Sequence, residues 1–141
     1  MIIEYNDLRI LDRNLIAYNV GKVEDDYEVN GKRKIRYSIF FNFINGYREL
    51  ISFKTKKSAD ILCKVIDAFM NESGLRYSMN DGKMFCFFSK KTGYNIIAPF
   101  GNLPSGEDID NCVVVYEKDI DENFIELDLW VTLFGLDNEV I

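Results

Sequence analysis

The chain has 141 residues, a net charge of −6 and no histidine, with 48% hydrophobic and 28% charged residues. That length and balance suit one folded domain over residues 1–141 and exclude a disordered chain. The missing histidine excludes Ser-His-Asp and Cys-His catalysis and the usual imidazole metal sites.

The first residues, MIIEYNDLRILDRN, carry acids early and no basic leader region, so they do not read as a secretory signal. No run reaches the roughly 18 apolar residues that a membrane span needs. Cys63, Cys86 and Cys112 are odd in number and each sits in an apolar run, as reduced core thiols of a cytoplasmic protein would. Asn, Ile, Lys, Phe and Tyr are plentiful while His and Pro are scarce, the bias of an AT-rich, bacterial or phage-like genome.

Two-residue turns then punctuate the chain. Asn30-Gly31, Asn45-Gly46 and Asp81-Gly82 each lie between segments able to be strands, and such pairs suit tight hairpins. Around Asn30-Gly31 the expected register sets Glu28 opposite Arg33 and Asp25 opposite Arg36. The strand from Arg33 to Ile44 places Ile35, Tyr37, Ile39, Phe41 and Phe43 on one face. Its other face is polar until Phe40, so its far half is expected to be covered on both sides.

A helix follows over Lys56 to Glu72, where Ala59, Leu62, Cys63, Ile66, Phe69 and Met70 recur at three- and four-residue steps. Thr55 or Ser58 can cap its start, and Gly74 suits the residue after its end. Further strands are expected at Leu75–Met79, Lys83–Lys90, Tyr94–Pro99, Asn111–Glu117 and Asn123–Phe134. The fold class is therefore α+β: a mostly antiparallel, hairpin-built sheet with one amphipathic helix packed on it.

In the last of these strands Ile125, Leu127, Leu129, Val131 and Leu133 alternate with Glu126, Asp128, Trp130 and Thr132. A long strand would bury the first set and display two carboxylates and the single tryptophan on the other face. The preceding Asp119, Asp121 and Asn123 open a calcium-loop pattern, but Phe124 stands where glycine is needed and Trp130 where a bidentate Glu should close it. No metal site is expected there. Glu126 and Asp128 as a catalytic pair lack any surrounding that would shift a pKa, and no cofactor fingerprint appears. The chain is not expected to be an enzyme.

Charge is distributed unevenly. Residues 1–105 hold 16 of the 17 Lys and Arg against 12 acids, a net +4; residues 106–141 hold one lysine and 11 acids, a net −10. The acidic strands could neutralise the basic ones internally. They could instead dock a basic partner, with Asp119, Asp121, Glu122, Glu126 and Asp128 steering and Trp130 anchoring, as in a small acidic inhibitor, immunity factor or adaptor. A third reading places an anion or nucleotide at the helix start, held by Lys54, Thr55, Lys56, Lys57 and Ser58. A subunit of a homo-oligomeric assembly, joined at an exposed strand edge, is a further alternative. Direct nucleic-acid binding is disfavoured by the net negative charge and by Phe pairs pointing to both strand faces.

Overall fold

The computed structural model describes residues 2–70, 85–89, 95–96, 112–116 and 124–141. It opens with a hairpin of β1 (Ile2–Tyr5) and β2 (Leu8–Leu11), turning at Asn6 with φ +52°. A 3-10 turn at Asp12–Asn14 leads into β3 (Leu15–Val29), β4 (Lys32–Phe43) and β5 (Gly46–Phe53), an antiparallel meander in that spatial order. The helix α1 (Lys56–Met70) follows. β6 (Phe85–Ser89), β7 (Asn95–Ile96) and β8 (Cys112–Tyr116) form another antiparallel sheet, ordered β7-β6-β8. Last come β9 (Phe124–Glu126), which pairs parallel to β1, and α2 (Leu127–Leu133). The fold is α+β with mostly antiparallel sheets. Among the described residues no helix is long and apolar enough to cross a membrane.

The Asn30-Gly31 pair forms the expected turn. Both residues take positive φ, +54° and +75°, the backbone that joins two right-twisted strands with the fewest residues. Glu28 faces Arg33 as expected, but the register at the second expected pair differs: Val23 stands opposite Arg36, while Asp25 still meets Arg36 as an ion pair at 2.8 Å. Between Glu24 and Glu28, β3 carries two more residues than β4 does over the same interval, a bulge that slides the register. At the other end of β4 the turn is Ile44-Asn45, one residue earlier than expected, because Gly46 already pairs with Phe43 as the first residue of β5. The turns expected at Asp81-Gly82, the strand at Leu75–Met79 and the helix-stop residue Gly74 lie outside the described residues.

The core is continuous across β1, β9, the meander and both helices. Ile39, Phe41, Ile51 and Phe53 of the meander, and Ala59, Leu62, Val65 and Ile66 of α1, are all buried. The first sheet contributes one row across its three strands, Ile10, Ile3 and Ile125, which the pairings align side by side. Thr55 caps α1, its Oγ1 accepting the Ser58 N–H at 3.3 Å, so one of the orphan donors of the helix is satisfied locally. On the sheet face away from this core, Gly21 leaves room for the Phe40 ring. A Cβ at Gly21 would lie 2.8 Å from that ring.

The segment 124–134 departs most from expectation. It is not one long strand. β9 ends at Glu126 and α2 begins at once, so Trp130 is 4% exposed and packs edge-on against Phe69 with ring centroids 5.4 Å apart. Two physical reasons combine. β1 offers only Ile2–Glu4 for parallel pairing before the chain turns away at Asn6. Beyond that, Leu127, Trp130, Val131 and Phe134 recur at the helical spacing and can be buried together only as a helix. Gly135, at φ +67°, then stops it. Leu136 N–H reaches Val131 O at 2.8 Å and Gly135 N–H reaches Thr132 O at 3.0 Å, with Leu136 buried beside the last turn.

The final residues return to the meander. Lys54 N–H donates to Glu139 O at 2.8 Å, Ile141 N–H to Ser52 O at 3.0 Å, and Phe53 bridges Val140. The outer edge of β5 is thereby partly covered at its C-terminal end.

Candidate functional surface

The carboxylates expected to form one acidic strand face are dispersed. Asp119, Asp121 and Glu122 lie outside the described residues. Glu126 closes β9 with its side chain exposed; its register neighbour Glu4 is itself held by Arg9 at 2.8 Å. Asp128 stands in the first turn of α2, where its Oδ2 accepts the Asn6 N–H at 2.9 Å. That bond ties the β1–β2 turn to the helix start, and an acid there also complements the helix dipole. Trp130 is removed from the contact set, because a core residue cannot anchor a partner.

What α2 does expose is different. Its outward residues are Asp128, Leu129, Thr132 and Leu133. Leu129 is 47% and Leu133 37% exposed, one turn apart on the same stripe. Glu126 and Asp128 flank them at the helix start, and Asp137, which accepts the Thr132 hydroxyl at 3.1 Å, follows its end. No Lys or Arg occurs from residue 124 to 141. Two leucines rimmed by carboxylates make a small apolar centre with an acidic edge.

The lysine-rich start of α1 is largely occupied by its own structure. Lys54 Nζ donates to Asn138 O at 2.9 Å, and Lys56 Nζ pairs with Asp60 at 2.9 Å, one turn along the helix. Hydrogen bonding to Asp60 holds the Lys56 ammonium above its ordinary pKa. The Thr55 and Ser58 hydroxyls bond each other at 3.0 Å, and Ser58 is buried. Of the five residues expected to hold an anion, only Lys57 keeps a side chain without a partner among the described residues.

The most elaborate polar arrangement among the described residues was foreseen only in its Asp25–Arg36 contact. On the face of the meander opposite α1, Arg36 of β4 grips Glu49 of β5 with two hydrogen bonds, Nε to Oε1 at 2.8 Å and Nη2 to Oε2 at 3.2 Å. Its Nη1 reaches Asp25 of β3 at 2.8 Å. Ser38 and Ser52 donate to the same Glu49 oxygen at 2.6 and 2.8 Å. With Arg36 the largest influence, these donors pull the Glu49 carboxyl down to about 2, and Glu49 in turn raises Arg36. The three strands are thus cross-linked by one charged centre. Two bulges shape it: Asp25 reaches Arg36 across the first, and the second sets Glu49 opposite Phe40. Neither bulge has a signature in the local sequence. A carboxylate that accepts four hydrogen bonds, three of them on Oε1, is held in its ionised form, which suits a clamp better than a catalytic acid.

Other titratable groups look equally structural. Tyr18 donates its hydroxyl to Asp67 of α1, and burial with that bond drives the tyrosine far above its ordinary pKa. Burial, with Asp67 and Asp60 nearby, pushes the free thiol of Cys63 up to about 11 and leaves it protonated at neutral pH. Comparison with known protein families, curated proteins and solved structures finds no match to the chain.

Proposed function

We propose that the chain is a non-enzymatic, cytoplasmic, single-domain protein-binding module that docks a basic partner surface through the outward face of α2. It belongs by character with small acidic inhibitors, immunity factors and adaptors. The supporting observation is the pair of exposed leucines, Leu129 and Leu133, set among Glu126, Asp128 and Asp137 in a stretch free of cations. In such a surface the carboxylates accelerate and orient the encounter, while desolvation of the two leucines supplies the holding energy. The role once expected of Trp130 passes to Leu129.

The test uses Leu129→Arg combined with Glu126→Lys, both at exposed positions, in place of any change at Asp128, whose carboxylate also holds the Asn6 amide. A partner recovered by the tagged chain at low salt is purified and titrated against both proteins. Support is binding that weakens with salt and falls at least tenfold in the variant while its unfolding midpoint stays unchanged. Binding that is indifferent to the double substitution removes α2 as the docking face.

A further inference from the structure

The β3–β4 hairpin outruns its neighbours. β5 stops at Phe53, opposite Tyr37, so from Lys32 to Arg36 the strand β4 is paired only on its β3 side among the described residues. Lys32, Arg33, Lys34 and Ile35 are all exposed, Ile35 at 41%, and the first three have no ion-pair partner among the described residues. The clamp of Arg36, Asp25 and Glu49 sits at the root of this two-stranded ribbon and holds it to the rest of the meander. The ribbon is therefore an anchored arm with one strand edge, about 17 Å long at 3.4 Å per residue, that no described residue pairs with.

Its two strands are opposite in charge. β3 contributes Glu24, Asp25 and Glu28 along the arm, and β4 contributes Lys32, Arg33, Lys34 and Arg36. We propose that the Lys32–Arg36 edge of β4 is a docking strand for an extended acidic segment of another polypeptide, which pairs with it in line with β5. Charge complementarity selects that occupant. A strand added at this edge lies about 4.8 Å from the basic strand but two strand spacings, about 10 Å, from the acids of β3. The second distance equals a Debye length at 0.1 M salt, so attraction is felt at close range and repulsion is screened. A nucleic acid laid over the ribbon's face would meet Glu24 and Glu28 as closely as the lysines. The same lysines that keep the edge from pairing with apolar or basic strands favour one that carries acids. This surface is separate from α2 and of opposite charge.

The probe is a fluorescent ten-residue peptide alternating Glu with Val or Thr, titrated into the full chain and followed by anisotropy and by backbone hydrogen exchange. Expected are saturable, salt-weakened binding and slowed exchange at Lys32–Arg36 in the wild-type chain. The variant K32E/K34E should bind about tenfold more weakly, from the loss of two exposed attractions and the gain of two repulsions. A peptide N-methylated at alternate amides along its pairing edge should not bind, because the ladder is lost. The proposal is overturned by binding without slowed exchange at these amides, by equal binding of a Lys-for-Glu peptide, or by tighter binding of an oligothymidylate of matched charge. Salt-sensitive self-association that K32E/K34E abolishes, with no peptide binding, would assign the edge to a second copy of the chain and overturn it equally.

Discussion

The same two strands, β3 and β4, live in two environments. Near their base Tyr18, Val20, Ile39 and Phe41 lie under α1, paired on a three-stranded sheet and drawn into the core. Past Arg36 the ladder continues with the same hydrogen-bonding logic, but among the described residues no arm side chain belongs to the core. Pairing is thus common to both halves and burial is not. A bare two-stranded ribbon is marginal in water, so what keeps the arm in place is its tight turn and the charged clamp at its root.

Substitutions should separate the halves. Phe41→Ala at the base is expected to cost about 3–5 kcal/mol, through lost burial and an unfilled cavity, as measured by urea unfolding. At the boundary, Glu49→Gln should cost about 1–2 kcal/mol after allowance for solvent screening of this partly exposed clamp. The effect has a pH signature. Because folding lowers the Glu49 pKa from 4.5 to about 2, its contribution is present above 4.5 and disappears as pH falls through 2. The wild-type chain should therefore lose stability across that window and the Gln variant should lose less.

Within the arm, Gly31→Ala places a side chain at φ +75° and should cost about 1 kcal/mol, seen as faster amide exchange at residues 24–35 with little change in the base. Ile35→Ala should move the unfolding midpoint least, by less than about 0.5 kcal/mol, as is usual for an exposed site. A large effect at Ile35 would mean that the arm is packed against something after all. A small one at Phe41 would break the distinction from the other side.

Legibility followed the range of the deciding interaction. The Asn30-Gly31 turn and the capped helix at 56–70 depend on residues a few positions apart, and both were readable. The Asp25–Arg36 contact was readable as a cross-strand charge pair, and it survives the bulge that shifts the register. The reach of Arg36 to Glu49 was not readable, because it depends on a second bulge, and a bulge reflects how two strands settle against a third. In the last segment a usable signal existed: the spacing of Leu127, Trp130, Val131 and Phe134, closed by Gly135 and Leu136. It was masked because Ile125, Leu127, Leu129, Val131 and Leu133 alternate equally well.

From the sequence alone came the α+β class, the meander's apolar face, the helix after it and the acidic bias of the C-terminal quarter, all of them consequences of local spacing and composition. Tertiary structure alone decided that residues 127–133 coil instead of extending, that Trp130 is core and Leu129 surface, and that one arginine ties three strands together. The physical reason is the same in each case. Two local conformations were nearly equal in propensity, and the choice fell to which distant partner was available: a β1 strand that ends at a turn, a Phe69 ring to pack against, the Glu49 carboxylate within reach of Arg36.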